Sequence, residues 1–213
     1  MTKTTGLHRI RVTGDTYALL DEASGSTGHS YDTVIQLWAA TAGADTAAVE
    51  AARRALSVQA ATQDELRRGL ADCAPNLRVA AIRLDKRHAS PSETADGFER
   101  THSGADLTTN GVDLWRSVRG YWVIAPRSNA IAAYRLGHFL GLYAGISWSG
   151  ATDKRRFALT GYRIDGGNRV NPETGDILQP ASSEENEALK YLAGHTLAMP
   201  TGAANPIANL FTN

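Results

Sequence analysis

RIRVTGDTYALLDEASGSTGHSYDTVIQLW, residues 9–38, changes its hydrophobic period twice, and those changes decide how the N-terminal part folds. From Leu7 to Thr13 apolar and polar residues alternate. Ile10 and Val12 fall on one side and Arg9, Arg11 and Thr13 on the other, the period-two pattern of a short, basic, half-buried strand. Asp15 then stands where an N-cap belongs, and Tyr17, Leu20 and Ala23 recur at helical spacing until Gly28 provides a stop. Ser30 caps a second helix that runs to Gly43, with Val34, Ile35, Leu37 and Trp38 as its apolar face. The expected order is strand, helix, helix.

The whole chain of 213 residues is long enough for such a module joined to a medium-sized domain. The expected division is 1–44 for the module, 45–75 for a helical connector and 76–213 for the larger part. With 42% hydrophobic and 21% charged residues the composition is that of a globular protein. Lys and Arg number 22, as do Asp and Glu, so no global field pulls the chain toward nucleic acid or an anionic membrane. Any DNA binding must come from a local patch. No window approaches the ~20 apolar residues that span a bilayer, and MTKTTGLHRI lacks a secretory apolar run, so a cytoplasmic protein without membrane contact is expected. The single cysteine, Cys73, excludes an internal disulfide or a cysteine-rich zinc site and reads as a small packed side chain.

Residues 45–73 are rich in Ala, Arg, Glu and Leu and read as two helices broken near Gln59 to Thr62. A strand is expected over 76–84, then a polar run over 85–111 too long for a tight connection, either a mobile loop or a functional lid. GVDLWRSVRG (111–120) reads as a short helix and YWVIA (121–125) as a strand. Between 130 and 148, Gly137, Gly141 and Gly145 interleave with Tyr134, Phe139, Tyr143 and Trp148, which suits bent strands better than one helix. RRFALTGYRI (155–164) is another strand, NPETGD (171–176) a turn, and SSEENEALKYLAG (182–194) a capped helix before a short tail. The fold class expected is α+β, with a curved, mostly antiparallel sheet.

Over residues 7–42 the chain resembles the ribbon-helix-helix family of bacterial regulators and antitoxins. The resemblance rests on the alternating strand, the capped first helix and the Gly28-His29-Ser30 step before the second. It implies a homodimer whose paired strands lie in the major groove of double-stranded DNA, with Arg9, Arg11 and Thr13 as the readers. Arg can donate two hydrogen bonds to guanine, and Thr can meet a polar edge or a thymine methyl. The amides at His29, Ser30 and Tyr31, opening the second helix, could hold a phosphate, with added charge if His29 is protonated. Two positions depart from the family: Gly14 replaces a usually apolar residue, and Gly25 weakens the first helix by roughly 1 kcal/mol relative to Ala.

In the larger part, RGYW (119–122), the aromatic and glycine run ending at Trp148, FALTG (157–161) and GAANPI (202–207) resemble PUA-like small β-barrels that bind modified nucleic acids. That likeness implies a base or ligand pocket of Arg119, Tyr121, Trp122, Tyr143 and Trp148, since a base stacked on an aromatic ring is worth about 1–3 kcal/mol. The same aromatics at strand spacing also suit a core. The polar run holds His88, Asp96, Glu99, His102 and Asp106, residue types that bind metals or move protons, but no zinc, Walker, nucleophile-elbow or nuclease spacing is present. A solvated loop fits them better, and neither metal nor cofactor is expected. DKRR (153–156) reads as a phosphate patch or a charged turn, and His138 and His195 as core histidines. The function expected is a dimeric, sequence-specific DNA-binding protein with a C-terminal sensor, partner-binding or nucleic-acid-binding domain. Two alternatives stay open: a nucleic-acid-processing enzyme or modified-base reader of a restriction or defence type, and an antitoxin-like protein with a protein partner.

Overall fold

The computed structural model describes residues 14–41, 46–93, 99–150, 155–198 and 206–211. The expected strand over 7–13, with Arg9, Arg11 and Thr13, lies outside the described residues, as do Asp96 and Asp153. The chain enters as three helices, α1 (Gly14–Thr27), α2 (Tyr31–Thr41) and α3 (Thr46–Ser57). Asp15 sits inside the first turn of α1, one residue past its start. The expected break at 59–62 is a short strand, β1 (Gln59–Ala61), followed by the Thr62 N-cap of α4 (Gln63–Cys73). Thr62 and Glu65 form a reciprocal capping box, which satisfies two otherwise orphaned amides.

Strand β2 (Val79–Arg83) comes next. The polar run expected as a loop is a hairpin, β3 (His88–Glu93) against β4 (Glu99–Ser103), leading to α5 (Gly111–Val118). YWVIA is not a strand. Among the described residues its one ladder contact is the bridge between Trp122 and Arg156; Val123 is 57% exposed and a turn at Ala125 to Ser128 ends the segment. Then follow β5 (Ala130–Arg135), β6 (His138–Trp148), β7 (Ala158–Asp165), β8 (Asn168–Val170) and β9 (Ile177–Pro180). Helix α6 (Ser183–Ala193), β10 (His195–Leu197) and β11 (Ile207–Asn209) complete the order. The expected tail is thus part of the sheet.

Seven strands form one sheet in the order β11-β2-β5-β6-β7-β8-β9, parallel only between β2 and β5 and not closed into a barrel. β1 and β10 pair in parallel beside it. Side chains alternate along β5, so Ala130, Ala132 and Tyr134 enter one core cluster while Ile131 and Ala133 enter another. The first cluster is completed by Leu66 and Leu70 of α4 and Ala188 and Leu192 of α6. The second is completed by Leu114, Trp115 and Val118 of α5. Helices therefore cover the sheet on both faces. This explains why β5 reads as a continuous apolar run, as strands buried on both sides do.

Two local devices hold the sheet to its helices. Gly145 sits at φ +63° beside a register shift in β6, and a Cβ there would come within 2.3 Å of the Tyr162 ring. Glu185, 4% exposed in its side chain, accepts from Arg169 Nε at 2.9 Å, from the Tyr162 hydroxyl at 2.8 Å and from the Ser182 amide at 2.8 Å. Burial alone would raise the Glu185 carboxyl, yet Arg169 and the other donors outweigh it and hold the group below its ordinary value. Replacing Gly145 by Ala should therefore destabilise the fold by about 2 kcal/mol or more, through the left-handed backbone and the displaced Tyr162, as chemical denaturation would measure. Glu185 has a depressed folded pKa, so its contribution is present above the ordinary carboxylate range and is lost as pH falls through the depressed value. Glu185→Gln should remove that acid-dependent part and lower stability near neutral pH by roughly 3 kcal/mol.

Candidate functional site

The turn between α1 and α2 is built as the residue pattern requires. Gly28 takes φ +74° and its amide donates to the Ser24 carbonyl at 2.8 Å. The Ser24 hydroxyl donates to the His29 carbonyl. Ser30 Oγ accepts the Thr33 amide at 3.2 Å and so caps α2. Leu20, Val34 and Leu37 face inward; Trp38, expected in the core, is 36% exposed, and Tyr17 of α1 is 52% exposed. Tyr31 donates its hydroxyl to Asp21 at 2.6 Å and meets the Tyr17 ring edge-on at 5.7 Å. The Asp21 carboxylate, then Tyr17, raise the Tyr31 phenol well above its ordinary value.

His29 is placed inside the protein. Its Nε2 donates to the Ala55 carbonyl of α3 at 3.0 Å, and Nδ1 lies 3.4 Å from the Thr196 hydroxyl of β10. Burial lowers its pKa despite the Ala55 and Val58 carbonyls, so near pH 7 the ring is neutral and carries no charge toward a phosphate. Of the three residues expected at the opening of α2, Ser30 and Tyr31 lie at the surface and His29 ties α1–α2 to the body.

The five residues expected as a stacking pocket gather around α5, but as packing. Tyr143 is fully buried against Trp115 at 5.2 Å, and burial raises its phenol. Trp122 and Trp148 pack on the same cluster, their indole N–H groups donating to the Val118 carbonyl at 2.5 Å and the Ser128 carbonyl at 2.6 Å. Tyr121 is 37% exposed and rests edge-on against Phe157. Arg119 reaches the Ala158 carbonyl at 3.2 Å and Glu173 at 3.3 Å, over the Trp115 ring. In the hairpin, His88 faces the Lys86 carbonyl, His102 lies 3.4 Å from Arg87, and Arg87 pairs with Asp113 at 2.7 Å. Asp106 is exposed, and Glu99 opens β4. No group of three or more His, Cys, Asp or Glu among the described residues could hold a metal ion. Cys73 is half-buried, which raises its thiol, and His195 bonds the Tyr191 carbonyl at 2.8 Å.

A cleft of about 800 Å³ opens elsewhere. Ala47, Glu50, Arg54 and Ser57, spaced by three and four residues, form its wall on α3. Leu107 to Asn110 and the start of β6, His138 to Leu140, form the other side. A neighbouring stripe of α3, Ala51, Ala52 and Ala55, packs with Leu37 of α2 and with Leu107. Leu107 thus touches both the cleft and the cluster behind it. Burial, and then Arg54, push His138 down to about 4. Of these residues, sequence reading singled out only His138, as a core histidine, and Phe139, as a strand aromatic. The polar stripe on α3 was a visible signal, but its opposing wall lies 50 or more residues away in the chain.

His29 and His138 are both held neutral in the fold while the unfolded chain protonates near the ordinary histidine value of 6.5. Their contributions are complete above that value and are lost as pH falls below it, for His138 toward about 4. Stability measured by denaturation should decline over that window, by up to about 3 kcal/mol for His138, and His138→Gln should flatten the decline between pH 6.5 and 5, where carboxylates remain ionised.

Comparison of the chain with protein-family models, curated proteins and solved structures finds no match, which leaves the residues and their geometry as the basis for function.

Proposed function

We propose that this chain is a dimeric, sequence-specific DNA-binding protein of the transcriptional-regulator kind, whose larger part is a ligand sensor. The observation that carries the reading is the placement of α3, which lines the cleft with one stripe and packs on Leu37 of α2 with the next. A ligand that shifts α3 acts on the helix pair through packed side chains and through the His29 bond to Ala55, a contiguous physical path. The basic strand pattern of residues 7–13 runs directly into α1, and the resemblance to ribbon-helix-helix proteins assigns Arg9, Arg11 and Thr13 to base edges in the major groove. Ser30, exposed, and Tyr31, half-buried, open α2, and a helix N-terminus favours an anion, which supports a phosphate contact there. The exposed Tyr17 and Trp38 rings give a second copy an apolar surface on the same helix pair.

The test is a DNA-binding measurement on genomic fragments at two salt concentrations, with the unchanged protein beside Arg9→Ala/Arg11→Ala. Loss of a base contact should weaken binding to the preferred sequence by about 1–3 kcal/mol, and loss of a phosphate contact should reduce the salt slope by about one. Unchanged binding in the double variant, or a monomer by sedimentation at micromolar concentration, overturns the reading.

A further inference from the structure

We propose that the cleft between α3, residues 107–110 and the start of β6 binds a small organic monocarboxylate with an apolar body, its carboxylate paired with Arg54. This rests on the reading of the larger part as a sensor and names the chemistry sensed. Arg54 is exposed on the cleft wall and makes no ion pair among the described residues. Its planar guanidinium matches a carboxylate with two parallel hydrogen bonds. Glu50, one turn earlier on the same wall, makes no ion pair among the described residues either, so the wall carries one charge of each sign. His138 adds no second cation, being pushed down to about 4 by burial and by Arg54. A dianion such as a phosphate ester finds too little positive charge here, since Glu50 opposes each added negative charge. A single carboxylate is what one guanidinium can balance.

The remaining surface fits the rest of such a ligand. Leu107, Phe139 and Leu140 offer apolar contact opposite α3. Asn110, at the N-cap of α5, makes no side-chain capping bond, whereas the Thr109 hydroxyl is already bonded to the Asp106 amide at 2.9 Å. At about 800 Å³ the space suits a molecule of small-ligand size, since such sites run to about 300–1,000 Å³.

Isothermal titration calorimetry of the full chain, without DNA, tests this with octanoate and phenylacetate as aliphatic and aromatic probes. Octanol and octylamine serve as neutral and cationic controls. Saturable binding of a carboxylate at one site per chain is expected, with both controls about tenfold weaker or more. Arg54→Gln should weaken the carboxylate about tenfold, Glu50→Gln should tighten it, and Ala47→Trp, which fills the cleft from an exposed position, should abolish it. Far-UV circular dichroism checks that each variant keeps its fold. Absence of saturable binding by both probes, octanol binding as well as octanoate, or an unchanged affinity in Arg54→Gln overturns the assignment. Because no DNA is present, failure here leaves the DNA reading standing, and failure of the Arg9/Arg11 test leaves a carboxylate site standing.

Discussion

Strand β5 is hydrogen-bonded on both edges, in parallel to β2 and antiparallel to β6, and covered by helices on both faces. The other elements are arranged by that double burial. Tyr134 must face α4 and α6 while Ile131 and Ala133 face α5, and a one-residue slip would exchange a large ring for a small methyl in each layer. Three of the five positions from 130 to 134 are alanine, Ala130, Ala132 and Ala133, and their small size lets the helices lie close on either face. Register is therefore set by volume as well as by polarity.

The two-residue turn that reverses β5 into β6 carries this order to the edge of the cleft. Leu136 and Gly137 both have positive φ, the geometry of a tight hairpin, and Leu136 packs on the cluster that α2 and α3 share. A leucine in the left-handed region costs about 1 kcal/mol. Its apolar contacts offset that cost. The next residue but one is His138, on the cleft. One turn thus links the double-faced sheet, the α2–α3 cluster and the cleft wall.

Some polar groups in this protein are consumed by the fold and others are left at its surface. The indoles of Trp122 and Trp148 and the carboxylate of Glu185 are satisfied internally, as buried polar groups must be to avoid desolvation penalties. His29 belongs with them, since its two nitrogens join three elements distant in sequence. Arg54, Glu50 and Asn110 are different: they line a cleft, and among the described residues Arg54 and Glu50 make no ion pair and Asn110 no side-chain capping bond.

Local chemistry was legible in the chain wherever a residue's own neighbours decide the outcome. The Gly28 stop, the Ser30 cap, the capped helix at 182–194, the short helix at 111 and the strands from 130 to 164 follow from periodicity and capping, which act within a few residues. What needed tertiary structure is whatever depends on a partner far along the chain. YWVIA has strand-forming residues but, among the described residues, makes a single bridge, from Trp122 to Arg156, whereas the polar 88–103 run pairs with itself and the tail finds the edge of β2. The aromatics of 121–148 are ambiguous between pocket and core until Trp115 fills the space among them. Composition and spacing by themselves determined an α+β chain with two helices near its start, the second capped by Ser30; the inward turn of His29 and the meeting of Arg54 with His138 were decided only by packing, because burial is a property of the surroundings and not of the residue.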